Sequence, residues 1–197
     1  MVYNGYGGMT MRKILWIAVF LVCCSAALFA QQNLTWSLAL IKDNEGVAFS
    51  RPVAMKDGES FSIIIHSKQA CYAYVIIQDS EKQMMVLLNK RLAANESWQT
   101  GSIKLTPPSG SETFHVIMSL TEQPELQEAI SAYNKQNDAR TTRDLNTALM
   151  GVRRSASQFN ENPEKPVGMG GAFRGRDPGG TEFSGVGTYV KTIVISH

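Results

Sequence analysis

Of the 197 residues, three are cysteine and three are histidine. Cys23 and Cys24 lie in the N-terminal segment, so beyond it Cys71 stands alone, and no intrachain disulfide can form even in a compartment that permits one. His66, His115 and His197 show none of the spacings of a ligand set, and no metal or cofactor is expected. Charge of one sign is lacking as well: 19 basic residues face 17 acidic ones, without the basic excess that marks a nucleic-acid partner. There is also no long apolar run. The most apolar stretch, Ile14 to Ala30, is shorter than the roughly 20 residues a membrane-spanning helix requires.

That stretch has the layout of a secretory signal peptide: basic Arg12 and Lys13, apolar Ile14 to Cys24, then small residues ending at Ala30. The opening "MVYNGYGGMT" has no cationic or apolar logic of its own, and Met11 competes with Met1 as the true start. Residues 1–30 are expected to be an N-terminal extension and signal peptide, cut before Gln31 to give a soluble periplasmic or extracellular product. The alternative is a lipoprotein anchored at Cys24, or at Cys23, with Cys23 or Val22 standing where a small residue is preferred. Loss of residues 1–30 removes Arg12 and Lys13 and no acid, which leaves a nearly neutral chain. Residues 31–197 are then one domain, long enough to bury its own core.

From Leu34 to Leu120 the pattern is one of short strands broken by turns. "LTWSLALIK" precedes "GVAFSRPVAM", where Pro52 points to an edge or a break. After the turn at 56–58, Phe61, Ile63 and Ile65 alternate with Ser62, Ile64 and His66. In "ACYAYVIIQDS" both faces are apolar, Tyr72, Tyr74 and Ile76 on one and Cys71, Ala73, Val75 and Ile77 on the other, as for a strand covered on both sides. "KQMMVLLNK" follows across Asp79, Ser80 and Glu81. "GSIKLT" and a "PPSGS" turn then lead to "ETFHVIMSL", in which Phe114, Val116, Met118 and Leu120 share a face.

After Thr121 the period becomes helical. One helix is predicted with Thr121 as its cap, Pro124 in its first turn and Leu126, Ala129, Ile130 and Tyr133 as its stripe. A second, roughly 141–155, carries Leu145, Leu149 and Val152. Residues 156–187 are rich in Gly, Pro and Asn and are expected to form one long loop, with Phe159, Phe173 and Phe183 as docking groups or core anchors. "TYVKTIVISH" is the last strand. The expected fold is therefore mainly β with two helices: an antiparallel β-sandwich-like domain with a helical insertion at about 121–155 packed on the sheet.

Candidate chemistry is sparse. If Ser67 to Ala70 form a hairpin loop, His66 and Cys71 face each other with Cβ atoms roughly 5 Å apart, which permits a thiol–imidazole pair. Such a pair also needs an oriented base and an oxyanion site, and no Asn, Asp or Glu lies between 61 and 77. The expectation is a hairpin tip with Cys71 as a small buried apolar residue. "GMGGAFRG" and "GVGTY" lack the strand–loop–helix order and lysine of a phosphate loop. Arg140, Arg143, Arg153 and Arg154 surround the second helix, with Arg174 and Arg176 beyond it. Arg143, Arg153, Arg154, Arg174 and Arg176 are the candidate partner-binding residues, for an anionic protein or glycan, against the plainer reading of a solvated helix face.

The stretch "DGESFSIIIHSKQACYAYVIIQDSEKQMMVLLN", the later "PPSGSETFHVIMSL" and the closing "GTYVKTIVISH" together resemble the bacterial domain-of-unknown-function family 4384. Asp79, Leu88, Asn89, Gly110 and Glu112 fall in that family's order. The Phe-Pro that usually precedes the Asn is missing, so the turn after Asn89 is expected to be built differently. The resemblance implies an exported, β-rich module with no catalytic residues to carry over. The functional expectation is a non-enzymatic binding or accessory module of the cell envelope. A thiol hydrolase or transferase using Cys71 and His66 is the alternative, and a structural envelope subunit the second alternative.

Overall fold

The computed structural model describes residues 33–166 and 179–197. The signal segment, the two N-terminal cysteines, Phe173, Arg174 and Arg176 lie outside the described residues. The first sheet runs β10 (Asn160–Pro166), β11 (Gly179–Gly185), β1 (Leu34–Lys42), β4 (Ser60–Ser67) and β7 (Ser97–Gln99). Short β2 (Glu45–Val47) also pairs with β1, and β8 (Ile103–Lys104) with β4. The second sheet runs β3 (Val53–Ala54), β12 (Thr188–Ser196), β9 (Ser111–Ser119), β5 (Cys71–Gln78) and β6 (Met84–Leu92). The β3–β12 pair is parallel; the other ladders are antiparallel.

Period-two alternation explains how the sheets meet. Leu34, Trp36, Leu38 and Leu40 of β1, with Phe61, Ile63 and Ile65 of β4, face Cys71, Ala73 and Val75 of β5 and Phe114, Val116 and Met118 of β9 in one core. Fully burying a side chain of this size contributes about 1.5–3 kcal/mol. The opposite face of the second sheet is apolar because it is covered too. Tyr74, Ile76 and Ile117 meet Leu126, Ile130 and Tyr133 of helix α1 (Pro124–Lys135), and Leu145, Leu149 and Val152 of helix α2 (Ala139–Ser155). The two-faced apolar pattern of β5 thus reflects sandwich on one side and helices on the other.

Four expectations change. Helix α1 begins at Pro124, with Gln123 rather than Thr121 at its N-cap and no side-chain cap; a residue before proline is kept out of helical space, so the chain cannot enter the helix earlier. The Gln123 amide is used elsewhere, donating to Ser119 Oγ and Thr188 Oγ1 at 3.1 Å each. Helix α2 has a capping box, with Asp138 Oδ1 accepting from Thr141 N at 2.8 Å and Thr141 Oγ1 accepting from Asp138 N at 3.1 Å. Second, Asn89 is followed by no turn: it lies inside β6, which runs on to Leu92.

Third, the segment around residues 67–71 is not a hairpin tip. Strand β4 belongs to the first sheet and β5 to the second, so Lys68, Gln69 and Ala70 cross between sheets. Long-range bonds hold the crossing: Lys68 N donates to Thr35 O at 3.0 Å, and Thr35 N to Gln69 Oε1 at 2.7 Å. Fourth, much of the expected loop at 156–187 is sheet. Strands β10 and β11 pair with each other, and β11 pairs with β1. Proline is tolerated in β10 because it is an edge strand, and the register slips between Asn162 and Lys165, around Pro163. Phe183 is the reason β11 is there: its ring is fully buried and stacks on Trp36 at 4.4 Å. Gly185 lets Phe159 lie flat over the strand, since a Cβ there would come within 2.6 Å of the ring.

Candidate functional site

The residues with chemical potential are dispersed. Cys71 is fully buried, and its thiol donates to Ser67 Oγ at 3.1 Å. Burial pushes the thiol pKa up, the wrong direction for a nucleophile. His66 points off the other face of β4 and bonds Ser97 Oγ at 2.9 Å. Its main chain is in register with Ser37 and Ser97, that of Cys71 with Leu92. The expected pair therefore does not form. His115 sits under the helices, 2 % exposed, with Nδ1 3.4 Å from Thr192 Oγ1. Burial, helped by the charge of Arg153, drives its pKa down to about 4, so it is neutral at pH 7.

The described arginines of α2 do not all share one face. At about 100° per residue, Arg143 and Arg154 share a face of α2, and Arg153 is turned by roughly 100° from Arg154. Arg153 packs its guanidinium 3.6 Å from Met150 Sδ and is the charge felt by His115. All three are exposed. Arg140 makes a loose 3.9 Å pair with Asp144. Arg174 and Arg176 lie outside the described residues.

Two side-chain clusters bridge distant parts of the chain. In the first, Glu161 of β10 accepts from Tyr189 Oη and, at 2.7 Å, from Lys191 Nζ of β12, joining the two sheets. Lys191 points inward because it is in phase with Tyr189, Ile193 and Ile195 along β12, and its ammonium lies 5.9 Å from the Phe49 ring centre and 5.6 Å from that of Phe183. Burial would raise the Glu161 pKa, but the bonds from Lys191 and Tyr189 outweigh it and hold it below the usual range. In the second cluster, His197 Nδ1 donates to Asp57 Oδ1 at 2.6 Å, and Ser109 Oγ to Asp57 Oδ2 at 2.8 Å. The serine reaches the carboxylate rather than the imidazole, which is not the order of a nucleophilic triad.

A cleft lies between β6 and β8, outer strands of the two sheets. It measures about 280 Å³. Core residues Ile77, Leu105 and Phe114 reach it from below, Met85 and Leu87 wall one side, and Asp79, Gln83, Lys104 and Glu112 supply polar groups. Among the described residues Met85 is the most exposed large apolar side chain, at 57 %. The end of the cleft is fixed: Asp79 Oδ1 accepts from the main chain of Glu81 and Gln83 at 2.9 and 2.8 Å. Gly110 packs so closely on the β5–β6 turn that a Cβ would come within 2.5 Å of Ser80 Cβ. Sequence reasoning missed both clusters and the cleft. The one legible signal was Lys191, a lysine in phase with inward-facing residues of its strand.

No protein-family model, curated protein or solved structure matches the chain. Among the described residues no helix is long and apolar enough to cross a membrane.

Proposed function

We propose that the chain is an exported, non-enzymatic binding or accessory module of the bacterial cell envelope, and that the cleft between β6 and β8 takes an extended segment of a protein partner. The observation that carries this reading is the cleft itself: core residues reach the surface between two strand edges, beside a methionine that is 57 % exposed. A chain laid along such edges can bond main chain to main chain while one of its side chains enters the apolar gap. The volume suits one or two side chains, and Met is an adaptable contact residue. The likeness of residues 57–120 and 187–197 to family 4384, and the signal-peptide layout, support export. A thiol hydrolase or transferase would need Cys71 beside His66, which the two sheets separate. A structural envelope subunit would show itself through concentration-dependent oligomers.

Selection of extended peptides from a display library against the purified protein tests the reading. Enriched peptides should carry a large apolar residue. Met85→Arg should weaken them by about tenfold or more, while Arg143→Ala with Arg154→Ala should leave them unchanged. Peptides indifferent to Met85→Arg, or lost with the two arginines, would move the site away from the cleft.

A further inference from the structure

We propose that His197 and Glu112 form a pH-set end wall of the cleft: the imidazolium holds the Glu112 carboxylate back, and the neutral ring releases it into the cleft. The geometry carries this. The His197 side chain is only 1 % exposed, and its main chain is tied to Gly110 by two bonds of 2.8 and 2.9 Å, so the ring titrates from a buried position on a fixed stretch of backbone. Two charged groups face it. Asp57, from the turn after β3, holds the proton on Nδ1 at 2.6 Å, and Glu112, from β9, places Oε1 3.5 Å from Nε2. Ser109 Oγ bonds the other oxygen of Asp57 at 2.8 Å.

The Nε2 contact is within ion-pair reach but forms no hydrogen bond, and the atom is buried with no other partner. Charged, the ring turns an Nε2–H toward the carboxylate. Neutral, it keeps the Nδ1 proton for Asp57 and turns a lone pair toward Glu112, so attraction becomes repulsion. Glu112 already lines the cleft and is 20 % exposed, so the cleft is where its carboxylate can go. The hydrogen bond to Asp57 raises the His197 pKa, burial opposes it, and Glu112 adds to the rise. The switch therefore falls above the usual histidine range near 6.5. His66 and His115 are both lowered, so they titrate elsewhere.

The meaning for binding rests on the reading of the cleft as the partner site; the movement of Glu112 does not. The test follows the labelled Met85 methyl and the His197 ring by NMR from about pH 5 to about 9. In the unaltered protein the Met85 shift should follow the His197 midpoint. Glu112→Gln should abolish that shift while His197 still titrates, at a lower pH for want of one carboxylate. His197→Asn should abolish it too; if that variant fails to fold, Glu112→Gln decides alone. A Met85 methyl that ignores His197, or that shifts undiminished in Glu112→Gln, would overturn the proposal. Peptide selection separates the two readings. A Met85 shift coupled to His197 with no cleft-bound peptide would sink the binding reading alone, and cleft-bound peptides with a silent Met85 would sink the switch alone.

Discussion

The two lateral edges of the sandwich are finished differently. At one, Glu161 of β10 crosses to Tyr189 and Lys191 of β12, over a stack of Trp36, Phe183, Tyr189 and Phe159 with ring centres 4.4 to 5.9 Å apart. At the other, β8 and β6 leave a gap through which Ile77, Leu105 and Phe114 can be reached. The core chemistry on both sides is alike; the difference lies in whether a side chain spans the sheets. One edge has turned its aromatic and charged groups inward as structure. The other leaves apolar surface open.

That contrast can be broken from the sealed side first. Phe183→Ala should destabilise the fold by about 3–5 kcal/mol, the usual loss for a buried aromatic; a shift in urea midpoint worth less than about 1 kcal/mol would mean the stack is not what closes this edge. Glu161→Gln removes the carboxylate partner of Lys191, whose side chain is 14 % exposed. Glu161 is itself 41 % exposed and water screens the pair, so the expected loss is about 1 kcal/mol. Because folding lowers the Glu161 pKa, its contribution is present above the unfolded value near 4.3 and is lost as pH falls through the folded one. Thermal melts of Glu161→Gln should accordingly lose part of the acid sensitivity seen in the parent protein. Met85→Arg on the other edge should change stability by no more than about 0.5 kcal/mol, as for an exposed position. A large loss there would show that the cleft is packed interior after all.

Much of the fold was legible where its cause was local. The inner stripes of β4 and β9 and the helix stripes followed from alternation and helical spacing, and the doubly apolar β5 announced cover on both sides. What could not be read depended on partners far along the chain. A short spacer between two strands looks like a hairpin, and the crossing shows only once β4 and β5 pair in different sheets, held by the bonds that tie Lys68 and Gln69 to Thr35. Glycine and proline hid β10 and β11, whose pairing is settled by Phe183 meeting Trp36 across 147 positions of sequence rather than by propensity. The candidate site was illegible for the same reason. The cleft exists only once β6 and β8 are placed in different sheets, and Asp57 meets His197 across 140 positions.

Strand β12 comes last in chain order, yet it lies inside the second sheet between β9 and β3. Until its nine residues arrive, β9 has a bare edge and the inward faces opposite Trp36 and Phe183 have no lining. Assembly is therefore vectorially incomplete: no N-terminal portion can close the second sheet by itself. Pairings of such long sequence range form slowly. That lateness makes β12 a built-in timer: the second sheet stays unfinished, and the core open, until its strand pairs with β9.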